Sequence, residues 1–272
     1  MNGKHNNAVY KKELITLLSK VDKALVESGI EYFGVYGTCL GAVRENNIIP
    51  WDDDIDIAVR RCDFKRVIEV LSMPKYQTFA GDRTNVPGCP SRCGRVFNRI
   101  SNVSSIEQRR AYIDIHVIDA APTNSLMFYW SVLWHVGITR IISRRKGTVI
   151  NNHKAMYIIA DILALPFRLF TSSFLYRFSD WIYIYNRSSP VVKLTFDGNR
   201  KRYESKIFSK SIRMSFGSIT LPVPIGYEEF LTKCYGNWRV PPPKEGRYSH
   251  AYDRDGVVWT VPTPEDIQRL II

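Results

Sequence analysis

Apolar residues recur at helical spacing over residues 9–28, where Leu14, Leu17, Leu18, Val21 and Leu25 share one face and Gly29 supplies a stop. The pattern then changes. Glu31 to Tyr36 is aromatic and branched enough to predict a strand, and Gly37, Thr38 and Gly41 predict a turn opening into a short helix. After Asn46-Asn47 and Pro50-Trp51, aspartates interleave with Ile55, Ile57 and Val59. On a strand, alternate side chains point to opposite faces. Asp52, Asp54 and Asp56 are therefore expected on one face, with the three apolar residues in the core and Asp53 turned away. Asp63 to about Ser72 predicts a second helix, with Phe64, Val67, Ile68 and Leu71 on one side. Residues 80–94 have the composition of a loop, and Arg95–Ile100 and Tyr112–Asp119 that of strands.

The second half is patterned differently. Residues 124–142 carry no charge until Arg140, and Arg144-Arg145-Lys146 separates them from a second apolar stretch, Ala155 to Phe174. Asn124, Ser125, Ser131, His135 and Gly137 dilute the first run, so a membrane span ranks low. Two readings remain: a pair of buried helices capping a sheet, or aromatic helices flanked by cations lying in a membrane interface. Met214–Pro224 predicts a hairpin or bent strand, and Tyr227–Cys234 a short helix. Tyr235-Gly236-Asn237-Trp238 and the prolines 241–243 open an irregular tail.

Composition narrows this moderately. The 272 residues are 45% hydrophobic and 24% charged, ordinary for a globular chain with ample material for a core. The start of the sequence lacks the basic and apolar blocks of a secretory signal. Five cysteines, odd in number and irregularly spaced, point away from a disulfide framework and towards a reducing compartment. Cys89 and Cys93 come nearest to a metal pair, but no second pair follows them. Of the formal charge of +12, nearly all lies between Arg140 and Arg213, where 15 Lys/Arg face 4 Asp/Glu. Such a block suits an anionic partner: nucleic acid, an acidic membrane or a phosphorylated substrate.

The candidate chemistry lies in the first half. Three carboxylates on one surface repel one another unless a cation sits among them, and hard oxygen ligands suit Mg²⁺ or Mn²⁺. A glycine turn whose N–H groups face phosphate, beside such a metal, is the equipment of phosphoryl chemistry. The other readings are a solvated acidic turn or a calcium loop. The calcium loop fails on its own pattern, because its sixth position is Ile57 rather than Gly and its twelfth is Asp63 rather than Glu. Asp114 stands alone among apolar residues in Tyr112–Asp119, where a carboxylate is costly without a partner. It reads as a third metal ligand or a general base, or else as an edge-strand residue facing water. His116 shares its face, in either a structural or a catalytic role. Arg247 and His250 are candidates for an anionic ligand, or surface residues.

Gly37-Thr38-Cys39-Leu40-Gly41-Ala42-Val43-Arg44 followed by Ile49-Pro50-Trp51-Asp52-Asp53-Asp54-Ile55-Asp56-Ile57 resembles the LicD family, which also takes in fukutin and fukutin-related protein. Ile113-Asp114-Ile115 and Asp119 look like its second acidic strand. Leu221-Pro222-Val223-Pro224, Phe230-Leu231, Tyr235-Gly236-Asn237-Trp238 and Pro241-Pro242-Pro243 echo its closing motif. The resemblance covers roughly residues 30–120 and 215–250. His116 departs from a commonly aromatic position and Asn237 from a common Asp, which bears on the acceptor more than on the metal core.

The resemblance implies an α+β, nucleotidyltransferase-like mixed sheet flanked by helices. Residues 1–123 would form the catalytic core, 124–213 a helical basic insertion, and 214–272 a segment packing back on the core. It also implies a phosphotransferase that moves a phosphorylated alcohol, such as phosphocholine, from a CDP-alcohol donor to a sugar hydroxyl, releasing CMP. The acceptor would be a cell-surface glycan (lipopolysaccharide or teichoic acid) or its lipid-linked oligosaccharide precursor. Gly37, Thr38, Gly41 and Arg44, with Arg247 and His250, would bind donor phosphates. Asp54, Asp56 and Asp114 would carry catalysis, and Asp52, Asp54, Asp56 and Asp114 would surround Mg²⁺ or Mn²⁺. The expected location is cytoplasmic, at the inner face of the cell membrane, with an anionic surface as a partner. Two rivals stand beside this reading: a nucleotidyltransferase acting on nucleic acid, and a non-catalytic membrane-surface assembly protein. The first ranks lower because the basic segment lacks aromatics placed for base stacking.

Overall fold

The computed structural model describes residues 3–81, 94–99, 111–145, 155–172, 174–175, 177–178, 181, 189–194, 201–243 and 247. The chain divides into two compact units: residues 1–89, 93–117 and 206–272 form the first, and residues 90–92 and 118–205 the second.

The first unit opens with helix α1 (Gly3–Glu27), whose Leu14, Leu17, Leu18, Val21 and Leu25 are fully buried, the face that the periodicity marks. α1 packs on helix α3 (Phe64–Leu71) and strand β3 (Thr78–Gly81). Strand β1 (Tyr32–Gly34) pairs antiparallel with β2 (Asp56–Arg60), setting Gly34 opposite Ile57. Strands β4 (Gly94–Asn98) and β5 (Tyr112–Ala120) extend the sheet in the order β1-β2-β5-β4-β3. The result is the expected α+β architecture, a mixed sheet with helices.

Several local expectations shift. The strand predicted over residues 31–36 ends at Gly34, and Tyr36 instead opens helix α2 (Tyr36–Leu40) in the left-handed region, φ 48°. A bulky side chain rarely adopts that conformation unless its surroundings hold it there. The ring of Tyr36 packs 5.4 Å from that of His116 and 5.8 Å from that of Phe230. The aspartate strand begins only at Asp56, so Asp52 to Asp54 lie on the approach rather than on the pleat. Residues 80, 81 and 94, assigned to a loop by composition, are strand.

The C-terminal part of this unit is a hairpin, β8 (Ser211–Phe216) and β9 (Ile219–Pro224), followed by helix α6 (Tyr227–Tyr235). β9 packs on β1, and α6 packs on α2. Two ties hold this part to the sheet: Arg60 donates to the Phe208 carbonyl, and Glu31 accepts from the Ser211 amide.

In the second unit, residues 118–120 of β5 pair with β6 (Val191–Leu194), and β6 pairs with β7 (Tyr203–Glu204). Asp119 lies opposite Lys193, and both are buried. Helix α4 (Ser125–Arg145) packs on α5 (Ala155–Leu163). Their seam buries Phe128, Val132, Val136 and Ala160, then Ile138, Ile141, Ile142 and Ala164. Across it Arg140 makes a two-pronged ion pair with Asp161, both bonds 2.8 Å. Among the described residues, no helix is long and apolar enough to cross a membrane.

Candidate active site

The site grows from the join between β1, α2 and β2. Where β1 ends, the Val35 N–H donates to the Asp56 carbonyl (3.1 Å), so the start of α2 lies beside the start of β2. The Thr38 hydroxyl, buried in α2, accepts from the Asp56 N–H at 2.8 Å. Gly37 faces Asp52 so closely that a Cβ there would lie 2.4 Å from Asp52 Oδ2. α2 runs on through a π-helical turn, Gly41–Glu45, which ends at the left-handed Asn46. A Cβ on Gly41 would lie 2.4 Å from the Asn47 carbonyl, so this turn closes only with glycine there.

From the approach loop, Lys11 of α1 donates to the carbonyls of Ile49 and Pro50, at 2.8 and 2.9 Å. This anchors the segment just before the aspartates. Its ammonium pKa is lowered by burial, against the opposing pull of Asp52 and Asp53.

Asp52, Asp54 and Asp56 concentrate negative charge here, with Asp53 beside them. The Asp54 carboxyl is held well above the usual carboxylate range, first by withdrawal from water and then by the charges of Asp56, Asp52 and Asp53. A hydrogen bond with Asp52 acts in the same direction. Asp56 Oδ1 lies 2.9 Å from His116 Nε2, and the imidazole is almost wholly buried.

β5 brings the fourth carboxylate. The Asp114 N–H donates to the Ile55 carbonyl at 3.0 Å, which seats Asp114 beside the Asp54–Asp56 segment. Its carboxylate is engaged by a cross-strand neighbour: Arg95 stands opposite it in register and donates from Nε to Oδ1 at 2.6 Å. Arg95 also lies over the Tyr112 ring, 4.3 Å from its centroid. Burial raises the Tyr112 phenol well above its ordinary value; Arg95 opposes this while Asp114 and Asp54 reinforce it. Tyr235 of α6 completes the surround. Although the residue as a whole is 46% exposed, withdrawal from water raises its phenol, with further increments from Cys234 and from Asp56, Asp52 and Asp54.

Arg44 and Arg247, some 200 residues apart in sequence, both lie over the Trp51 ring, at 5.9 and 4.6 Å. Arg44 donates to Glu45 and to the Trp238 carbonyl. Its Nη2 is buried with no hydrogen-bond partner among the described residues, an N–H in want of an acceptor. Arg247 donates to the Pro242 carbonyl. The structure thus gathers Gly37, Thr38, Asp52, Asp54, Asp56 and Asp114 in one place and sets Arg44 and Arg247 together at Trp51. His250, Cys89 and Cys93 lie outside the described residues. Arg95, Tyr235 and Trp51 carry no role in the sequence reading. Only the acidic register partner of Arg95 and the aromatic closing motif hinted at them.

A divalent cation such as Mg²⁺ or Mn²⁺ requires several hard oxygen donors converging on one point. Among the described residues, no three carboxylate, imidazole or thiolate groups form a finished cage. Asp54 and Asp56 nevertheless supply hard oxygen donors. The crowding that lifts the Asp54 carboxyl is the kind of repulsion a cation relieves. Asp114, as it stands, is turned to Arg95.

The family model described as "LicD/FKTN/FKRP, nucleotidyltransferase domain" matches residues 29–139, which include every carboxylate of the site. The lipopolysaccharide cholinephosphotransferase LicD of Haemophilus influenzae is 23% identical over 229 residues, 79% of this chain and 84% of that protein. An uncharacterized protein of Rickettsia prowazekii is 38% identical over 64 residues, 24% of this chain and 23% of its own. One from Rickettsia typhi is 32% identical over 85 residues, covering 31% and 28%. Residues 29–139 thus carry the domain by which the LicD family is described, and most of the chain is similar to one of its members.

Proposed function

We propose that this protein is a phosphotransferase that moves a phosphorylated alcohol of the phosphocholine kind from a CDP-activated donor to a sugar hydroxyl. The acceptor is a cell-surface glycan or its lipid-linked precursor, and CMP leaves. The observation that carries this reading is the carboxylate cluster Asp52–Asp54–Asp56 set against the Gly37–Thr38 turn. It lies within a segment shared with a relative named as a cholinephosphotransferase acting on lipopolysaccharide.

In this reading the bare backbone at Gly37 and the turn through Gly41 let the donor diphosphate approach closely. Arg44 and Arg247 at Trp51 bring cationic N–H donors to its oxygens. Asp54 and Asp56, with Asp52 close by, would hold Mg²⁺ or Mn²⁺, which supplies charge neutralisation at phosphoryl oxygens. His116 and the Thr38 hydroxyl hold Asp56 in place, through its carboxylate and its N–H respectively. Asp114 accepts the proton of the attacking sugar hydroxyl or joins the metal ligands. In either role its bond to Arg95 fixes the direction of the carboxylate.

The test is to incubate the purified chain and Mg²⁺ with a panel of CDP-alcohols, with and without lipopolysaccharide or oligosaccharide acceptors, and to follow CMP and labelled acceptor together. Acceptor-dependent CMP release that Asp56→Asn abolishes, with the circular dichroism spectrum unchanged, is expected. Near-normal transfer by that variant, or no transfer across the panel with any acceptor, overturns the reading.

A further inference from the structure

The second unit carries an apolar surface that its own core does not use. On α5 and the 3-10 turn Leu165–Leu169, the side chains of Ile158, Ile162, Leu165 and Leu169 follow one another at helical spacing, and all are exposed, Leu169 by 93%. Beside them runs a file of rings. Phe170 stacks on Phe174 (centroids 4.6 Å, planes 21° apart), Phe174 meets Phe178, and Phe178 meets Trp181. Phe167 joins this file to Trp134 of α4 at 4.9 Å. Phe170, Phe174 and Trp181 remain between 43% and 57% exposed.

Charge on this stretch is predominantly positive: residues 125–181 hold seven Lys/Arg against two Asp/Glu, Asp161 and Asp180. Arg168 and Arg177 are exposed. The one carboxylate among the described residues of 125–181 is Asp161, which is occupied by Arg140.

Apolar and aromatic side chains interspersed with guanidinium groups and poor in acids are what an interfacial surface needs. The rings and aliphatic tips enter the headgroup boundary, and the cations meet lipid phosphate. A second copy of this chain fits poorly. A two-fold contact places each patch on itself, so two cations per chain, Arg168 and Arg177, would meet their own copies with a single carboxylate, Asp180, in residues 165–181 to offset them. Nucleic acid fits poorly too, because it offers nothing apolar to cover Ile162 and Leu169.

We propose that this face of α4, α5 and residues 165–181 docks on the surface of an anionic phospholipid bilayer, lying in the interface without crossing it. This inference does not rest on the transfer reaction proposed above.

The test uses the full chain, without donor or acceptor, sedimented with phosphatidylcholine–phosphatidylglycerol vesicles and with pure phosphatidylcholine vesicles, while tryptophan emission is recorded. Binding to the anionic vesicles with a blue shift is expected, at least tenfold tighter than to the neutral ones. Ile162→Glu/Leu169→Glu should lose it while keeping its circular dichroism spectrum and its melting temperature. Should that variant misfold, Arg168→Ser/Arg177→Ser decides, because each cation removed should weaken anionic-vesicle binding roughly five-fold. Absent or charge-independent binding overturns the proposal, as does undiminished binding by a folded Glu variant. So does a salt-stable dimer that the Glu substitutions dissociate while the parent ignores vesicles.

Discussion

His116 Nε2 stands 2.9 Å from Asp56 Oδ1, on a ring only 1% exposed. Tyr36, in its left-handed conformation, closes over that ring edge-on. The imidazole thus helps to fix the direction of a carboxylate that the site needs.

Replacing it with Phe keeps the volume and removes the bond. His116→Phe is expected to lower kcat/KM roughly 10–100-fold, the usual scale for losing a group that orients a ligand. His116→Gln, whose amide nitrogen reaches a similar point, should recover most of this. Mn²⁺ affinity, measured by electron paramagnetic resonance, should follow the same order. A purely structural histidine would change stability and leave that affinity alone.

Gly37 and Gly41 should separate site from fold. An added Cβ at Gly37 meets the tip of a side chain, Asp52 Oδ2, which can swing away. Gly37→Ala is therefore expected to cut activity at least tenfold with little loss of stability. At Gly41 the obstacle is the Asn47 backbone carbonyl, which is held in a turn. Gly41→Ala should destabilise by about 1–3 kcal/mol, the scale of overpacking, as read by urea denaturation.

The raised Asp54 carboxyl predicts a pH dependence with a definite sign. The folded chain holds this proton more tightly than the unfolded chain, so the group's contribution is complete below the ordinary carboxylate pKa. It is lost as pH rises through the elevated folded value. In chelator, melting temperature should decline across that window, and Asp54→Asn should remove this part of the decline. The variant should melt higher than the parent at neutral pH while being inactive, a trade common at functional sites. An unchanged profile would rule the assignment out.

Arg95 and Asp114 offer a separation of roles. Their side chains are 8% and 18% exposed and joined at 2.6 Å. Removing the arginine alone strands a largely buried charge, so Arg95→Met should cost about 3–5 kcal/mol. Arg95→Met/Asp114→Leu should regain much of that stability. If Asp114 serves the chemistry, the double variant stays inactive although it folds. Activity restored together with stability would assign Asp114 to structure alone.

What could be read without coordinates had a local signal. The buried face of α1 is a 3.6-residue period, and Ile55, Ile57 and Val59 announce their burial by alternation. The Gly37–Gly41 turn and the aspartates beside it share one short stretch, so their proximity hardly depends on the rest of the chain. The same local logic overreached at Asp52 to Asp54. Alternation continued on paper, but the backbone enters the strand only at Asp56.

The sequence by itself determined the core faces and the acidic turn, because each follows from periods of two or 3.6 and from residues close in the chain. The α+β class came from its resemblance to the LicD family. Tertiary structure alone decided the rest. The register of β4 on β5 put Arg95 against Asp114, and the approach of β5 to β2 put His116 on Asp56. The return of the chain through β8 and β9 set Tyr235 near the aspartates and Trp238 on Arg44. These pairings join residues tens to hundreds of positions apart. Their energies reside in strand register and packing, and neither leaves a periodic mark on the sequence.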